Sequence, residues 1–344
     1  MPSSQQSQLP VTLADIAAAL GVSESTVSRS FSDPGKVATR TRERVLQAAG
    51  ELGYKAPVAS KPKIAAEGIG VMVPDIANPF FPPIIKAIQA RAATYAMPTL
   101  IVDTDERQRD ELARGQFLLD KVVGLVLVSP RGSEDDLREL ATSLPTVVIN
   151  RELSFASSIS LDSDDGIEKA VEHLWALGHR SVAYLNGPDD SWSNEQRRSV
   201  VHKASTRLSV HLTEFGPFSP EIAAGAHAAD LVLASGATAV IAYDDLIAFG
   251  VMARMQSRGV RVGHDLSVVG IDDSPLSASA YPSLTTIKMP GARAGELAVD
   301  ELTNLISRPG SPVTRTNLHA SLVVRESTGL APTVGSPGRA DQRG

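Results

Sequence analysis

The sequence of 344 residues contains no cysteine, which excludes disulfides, thiol nucleophiles and cysteine-ligated zinc. It has no apolar run approaching the roughly 18–20 residues that a membrane-spanning helix needs. Residues 1–10 are rich in Ser and Gln and lack both the basic start and the apolar stretch of a secretory signal. They are expected to be disordered, and the protein to be cytoplasmic and nucleoid-associated. Signatures of catalysis are missing too. Gly68-x-Gly70 lacks the third glycine of a dinucleotide loop, there is no Walker lysine motif, and none of the seven histidines stands in HExxH spacing. No serine sits in a nucleophile elbow. The expectation is a protein that is not an enzyme and needs no metal or cofactor.

What is present is an uneven distribution of charge. The chain carries a net −6, yet its first 65 residues hold eight Lys/Arg against five acids, a net +3, leaving −9 for the remainder. A basic head on an acidic body suits a head attracted to phosphates. The length fits a small module joined to a two-lobed domain.

In the head, Thr12 is placed to cap a helix in which Asp15 favours the positive end and Ile16 and Leu20 share a face. Gly21 supplies a turn, Val22 an apolar contact, and Ser23 a second cap for a helix from Glu24 to Phe31, with Val27 facing the first. After an Asp33-Pro34-Gly35 turn, Thr39 is the expected cap of a third helix, and Val45, Leu46, Ala49 and Leu52 recur at helical spacing before Gly53. Two short helices across a glycine turn form a helix-turn-helix. Its second helix would enter the major groove with Glu24, Ser25 and Arg29 on base edges and Thr26, Ser28 and Arg42 toward phosphates. An ordinary helical hairpin has the same pattern.

The run Val11-Thr-Leu-Ala-Asp-Ile-Ala-Ala-Ala-Leu-Gly-Val-Ser-Glu-Ser-Thr-Val-Ser-Arg29, with Val37-Ala-Thr-Arg-Thr-Arg-Glu-Arg-Val45 and Leu52-Gly-Tyr54, closely resembles the DNA-binding head of the LacI/GalR family. The resemblance implies that Glu24, Ser25 and Arg29 lie on the recognition helix and that Tyr54 closes the third helix. The expected DNA-binding set is Thr12, Ser23, Glu24, Ser25, Thr26, Ser28, Arg29, Arg42 and Tyr54. Family members usually continue into a hinge helix whose leucine wedges into the minor groove. Here the segment Lys55-Ala-Pro57-Val-Ala-Ser-Lys61-Pro62-Lys63-Ile64 lacks that leucine, and Pro62 disfavours an uninterrupted helix. Val58 or Ile64 would be the substitute wedge.

From Gly68 onward, β-branched or aliphatic runs alternate with helical patterns, which predicts a parallel sheet covered by helices on both faces. Strands are expected at 68–73, 99–102, 124–128, 146–149, 182–185, 239–242 and 267–270, and helices at about 80–95, 106–121, 163–177, 194–208 and 244–258. This body also resembles the family's effector domain, similar to periplasmic sugar-binding proteins, through Val73-Pro-Asp-Ile-Ala-Asn78-Pro-Phe80-Phe81, Leu177-Gly-His-Arg180, Gly187-Pro-Asp-Asp-Ser-Trp192-Ser-Asn-Glu-Gln-Arg197, Tyr243-Asp244-Asp245 and Ser267-Val-Val-Gly-Ile-Asp272-Asp273. The implied α/β fold is a three-helix head (11–56), a hinge (57–67), a two-lobed periplasmic-binding-protein-like domain (68–328) and a disordered tail (329–344).

Ligands of open α/β sheets collect beyond the carboxyl ends of strands. By these strand assignments Asn78, Phe80, Phe81, Asn150, Arg151, Asp245 and Asp272 stand there. With Trp192 and Arg197 they supply aromatic faces and a polar rim suited to a sugar or sugar derivative. A nucleobase or nucleoside could stack on the same aromatics. Asp244 stands where the family more often has asparagine and adds an acid to the site. The expected partners are an operator in double-stranded DNA, a small-molecule effector and a second copy of the chain, since two heads on a two-fold body would read a pseudopalindrome. A solute-binding protein without DNA function would leave the first 60 residues unexplained. Asp245→Ala is expected to bind operator but ignore the effector.

Overall fold

The structure, a computed structural model, describes residues 11–32, 37–52, 54 and 68–332, and the chain divides into two units, Met1–Ala65 and Ala66–Gly344. The expected Asp33-Pro34-Gly35 turn and the hinge with its Val58 or Ile64 wedge lie outside the described residues.

In the first unit, α1 (Leu13–Leu20), α2 (Glu24–Ser32) and α3 (Thr39–Glu51) surround Ile16, Ala17, Val27, Val45 and Ala49. Thr12 and Asp15 cap α1 reciprocally: the Asp15 carboxylate accepts the Thr12 amide at 2.8 Å while the Thr12 hydroxyl accepts the Asp15 amide. Gly21 ends α1 with φ 67°, a left-handed conformation that glycine adopts without penalty. The Ser23 hydroxyl then accepts the Thr26 amide at 3.2 Å and starts α2. Thr39 is not the cap of α3; it is the first helical residue, with Ala38 in the capping position. Tyr54 packs its ring against Phe31, 5.6 Å between centroids, and so closes this small core.

The second unit holds two six-stranded sheets. The first lobe runs β1 (Gly68–Val73), α4 (Phe81–Ala93), β2 (Thr99–Asp103), α5 (Gln108–Leu118), β3 (Val122–Val128), α6 (Glu134–Ser143), β4 (Thr146–Ile149) and β5 (Ser157–Asp162). The second runs α7 (Asp164–Ala176), β6 (Ser181–Leu185), α8 (Trp192–Arg207), β7 (His211–Phe215), α9 (Ile222–Ser235), β8 (Ala239–Ala242), α10 (Asp245–Ser257), β9 (Ser267–Asp272) and β10 (Thr285–Lys288). The chain then returns to the first lobe through α11 (Gly291–Ser307) and β11 (Arg315–His319), and crosses back to end the second sheet with β12 (Ser321–Val323). The strand orders are β2-β1-β3-β4-β5-β11 and β7-β6-β8-β9-β10-β12, parallel except for β12 against β10.

The central strands are buried on both faces, as helices covering a parallel sheet require. Val71, Val73, Val126, Val128, Val147 and Ile149 face one side, with α4 and α11. Met72, Leu125, Leu127 and Val148 face the other, against Leu118, Leu137 and Leu140. In the second lobe α9 and α10 cross so closely that a Cβ on Gly225 would stand 2.0 Å from the Ile247 carbonyl oxygen. The start of the expected disordered tail is corrected. The Gly329 carbonyl lies 3.1 Å from the His179 ring nitrogen Nε2, and the Ala331 amide donates to the Leu177 carbonyl at 2.9 Å, so these residues are fixed to the second lobe.

Candidate functional site

Both lobes are doubly wound sheets whose strand order reverses beside the first strand, between β1 and β3 and between β6 and β8. Such reversals leave a crevice at the carboxyl ends of the strands. The two crevices share one narrow recess, lined from the first lobe by Asn78, Phe80, Phe81, Glu106, Ser129, Arg131 and Asn150, and from the second by Ser193, Arg197, Pro220, Tyr243, Asp244 and Asp272. Glu106, Ser129, Asn150 and Asp272 all have positive φ, at 54°, 46°, 61° and 128°. Left-handed backbone at non-glycine residues costs of order 1–3 kcal/mol each and persists where the surroundings impose it. Here it turns four strand-end side chains into one space.

The first lobe supplies the aromatic wall. Asn78 folds its Oδ1 back to accept the Phe80 amide at 3.0 Å, and this turn sets Phe80 and Phe81 edge to face, 5.1 Å apart. Phe81 is also buried in the main core, so it holds the wall as well as forming it. Arg131 grips Glu106 with Nε at 2.8 Å and Nη2 at 3.3 Å. Burial alone would lower its pKa, but Tyr243 and Glu106 beside it raise it, so it stays charged. The loop bearing Arg131 is fixed from behind: Glu111 accepts the Arg131 and Gly132 amides, and Arg151 donates to the Pro130 and Gly132 carbonyls at 3.1 and 2.8 Å.

The second lobe supplies the charged rim. Arg197 donates to the Tyr243 carbonyl at 2.6 Å, lies over the Tyr243 ring at 4.7 Å and reaches 3.6 Å from the Asp272 carboxylate. The Tyr243 hydroxyl meets the Ser191 and Ser193 hydroxyls at 2.9 and 3.1 Å. Asp244 caps α10, its Oδ1 accepting the Ile247 amide at 2.8 Å, while its Oδ2 is buried without a hydrogen-bond partner. Burial, with Asp245 and Glu106 nearby, pushes the Asp244 carboxyl up to about 7 against the pull of the Ile247 amide and Arg197. Burial likewise raises Asp272 well above the ordinary range, with Arg197 opposing.

Of the nine expected effector-binding residues, Asn78, Phe80, Phe81, Asn150, Arg197 and Asp272 come together in this recess. Arg151, Trp192 and Asp245 do not line it. Arg151 points beneath the Arg131 loop, and Trp192 begins α8 half-buried. Asp245 turns away from its neighbour Asp244 and accepts the Ser274 amide at 2.8 Å and the Ser277 and Thr286 hydroxyls at 2.6 Å each. It ties α10 to the segment after β9, so the expected intact but effector-blind Asp245→Ala protein gives way to an unstable one. Glu106, Ser129, Arg131 and Tyr243 were not expected. The strand-end rule that found Asn150 would have found them, because each follows an assigned strand within four residues.

In the head, Ser23, Glu24, Ser25, Ser28 and Arg29 are exposed along the start and outer face of α2, and Thr26 is half-buried. A helix with its side chains is about 10–12 Å across, which fits a major groove roughly 12 Å wide. Thr12 is exposed at the start of α1. Arg42 is half-buried and its Nε donates to the Ser30 carbonyl at 3.2 Å, tying α3 to the end of α2, while Tyr54 is a packing residue.

Comparison with known proteins gives these two surfaces a context. The family model for bacterial regulatory proteins of the lacI family matches residues 12–56, and that for a periplasmic binding protein-like domain matches residues 171–328. The lactose operon repressor of Escherichia coli (strain K12) is 33% identical, the alignment covering 94% of this chain and 92% of the relative. The chain belongs to the LacI family. A LacI-type regulator is therefore the protein whose head and recess are described above. The lac repressor dimer bound to operator and the anti-inducer ONPF is a structural neighbour with TM-score 0.69 and 30% identity, covering 93% of this chain and all of that one. The complex of the transcriptional regulator CelR with cellobiose matches with TM-score 0.69 and 26% identity, covering 92% and 99%. Of these two structural neighbours, one is an operator complex and the other a sugar complex.

Proposed function

We propose that this chain is a cytoplasmic homodimeric repressor that binds a pseudopalindromic operator through α2 and whose operator affinity is changed by a sugar or sugar derivative held between the lobes. The observation that carries the reading is the recess. It joins an aromatic wall for the apolar face of a sugar ring to acids, amides and guanidiniums for its hydroxyls. The free space within it, about 20 Å³, is that of a single water, so in this reading a sugar enters with the lobes further apart. Glu24, Ser25 and Arg29 read base edges in this account, with Ser23, Thr26 and Ser28 toward phosphates.

Dimerisation is supported by two exposed surfaces. Tyr281 is 89% exposed beside a groove lined by Met252, Val260 and Val262, and Phe117 is 62% exposed beside β2. Two heads on a two-fold body would reach half-sites about 34–36 Å apart.

The test couples two measurements. Selection of random duplexes on the purified protein should enrich a pseudopalindrome. A thermal-shift panel of sugars, polyols and nucleosides should then name a compound that changes the affinity for that duplex by about 5–150-fold, the ordinary range of allosteric coupling. Enrichment of no palindrome would defeat the DNA half. A nucleoside as the sole stabilising compound would replace the sugar.

A further inference from the structure

Two carboxyls are buried where the lobes meet. Asp244 is 2% exposed and its Oδ2 accepts no hydrogen bond. Asp272 is 9% exposed, and Arg197 Nη2 stands 3.6 Å from its Oδ1, beyond hydrogen-bond distance. A carboxyl shut away from water in this manner is relieved by binding a proton. Its burial depends on the lobes being together. The walls of the recess come from both, and the Tyr243 hydroxyl of the second lobe meets the Arg131 guanidinium of the first across it. The chain passes between the lobes at three short crossings, 162–164, 288–291 and 319–321, the construction of a hinge about which two bodies swing. Swinging apart returns both carboxyls to water.

We infer that the two lobes form a proton-linked switch: closing them holds Asp244 and Asp272 protonated, opening them releases the protons, and a rise in pH opens the recess with no small molecule bound. The sign follows from linkage. A carboxyl whose pKa is higher closed than open stabilises the closed form below its open-form value and loses that contribution as pH rises through its closed-form value. For Asp244 this window runs from the ordinary 3.8 to about 7, and Asp272 acts in the same direction. The groups facing the pair are Arg197 on α8, Asp245 on α10 behind Asp244, and Tyr243 before it. From the first lobe Glu106 and Arg131 complete the set, paired with each other. Asp273, next to Asp272, is held by Arg325 at 2.6 Å. The switch does not depend on the sugar reading, because it operates without an effector.

The test reads opening directly. The chain has no cysteine, so Ser193→Cys places one thiol in the wall of the recess and Ala170→Cys, in a second protein, places one in the core under α7. Each full-length protein is labelled with dithiodipyridine from about pH 5 to 8, and each rate is divided by that of the same protein unfolded in urea, which removes the thiol's own titration. The Ser193→Cys ratio should exceed the Ala170→Cys ratio and climb as pH rises toward 7, by about tenfold per pH unit for each carboxyl released. Adding Asp244→Asn, which keeps an acceptor to cap α10, should make the climb shallower, and adding Asp272→Asn as well should abolish it. If that double replacement does not fold, the single one decides. A flat ratio, an equal climb in the Asn variants, or labelling of Ser193→Cys no faster than of Ala170→Cys would each overturn the switch.

Discussion

Asp245 offers the sharpest separation between a residue that contacts a ligand and one that holds the site. Truncation by Asp245→Ala removes an acceptor of three hydrogen bonds, from the Ser274 amide at 2.8 Å and from the Ser277 and Thr286 hydroxyls at 2.6 Å. Bonds to a charged acceptor contribute about 1.5–3 kcal/mol each, and a buried donor left without a partner costs about 1–3 kcal/mol. The two hydroxyls can rotate toward other acceptors, whereas the Ser274 amide is fixed by the backbone. Against the loss stands the relief of burying a carboxylate, whose pKa burial raises. The balance is a destabilisation of roughly 3–4 kcal/mol, which at about 2–4 °C per kcal/mol for a domain of this size lowers Tm by roughly 6–16 °C. The assay is thermal and urea denaturation beside Asp245→Asn, which keeps one acceptor and the shape and should lose about half as much. A stable Asp245→Ala protein, within about 1 kcal/mol of wild type, that had lost only its response to effector would refute the supporting role.

Other expectations follow from the same geometry. Gly225→Ala would force a Cβ to 2.0 Å from the Ile247 carbonyl oxygen, so urea denaturation should show a loss of about 1–3 kcal/mol as α9 and α10 move apart. Arg29 is exposed, so Arg29→Ala should leave the melting curve unchanged while weakening operator binding by about 1–3 kcal/mol in anisotropy titrations. Ile16 is fully buried in the small core of the head. Ile16→Ala should cost about 2–5 kcal/mol and open the head to limited proteolysis before the body. Gly187 packs against Tyr243, and a Cβ there would stand 2.5 Å from the ring. Gly187→Ala should therefore displace the ring that Arg197 covers and weaken effector binding, measured by calorimetry, by more than it changes Tm.

The elements that were legible in the sequence are those whose pattern is local. The strands at 68–73, 146–149 and 239–242 match their expected bounds, because continuous aliphatic runs suit strands buried on both faces. The head was legible for the same reason: its first two caps, glycine turn and apolar spacing are set within a few residues. Strands β5, β7, β10, β11 and β12 and helices α6, α9 and α11 were not foreseen. β5 reads Ser157-Ser-Ile-Ser-Leu-Asp162 and all three of its serines are buried, Ser157 and Ser160 with hydroxyls accepted by Glu301 and Glu152, partners supplied from 144 and 8 residues away.

For the site, the sequence by itself determined that strand-end residues would carry it, and Asn78, Phe80, Phe81, Asn150, Arg197 and Asp272 do meet there. What it could not determine is which of two adjacent residues enters the recess. At the junction of β8 and α10, Asp244 has φ −144° and ψ 175° while Asp245 is already helical. That single change of backbone conformation sends one carboxylate into the recess and the other beneath β9. Only the tertiary structure decided this, together with the pairing of Arg131 with Glu106 across neighbouring loops. Both depend on how distant strands are staggered, and stagger is fixed by packing between layers rather than by the residues on either side of a junction.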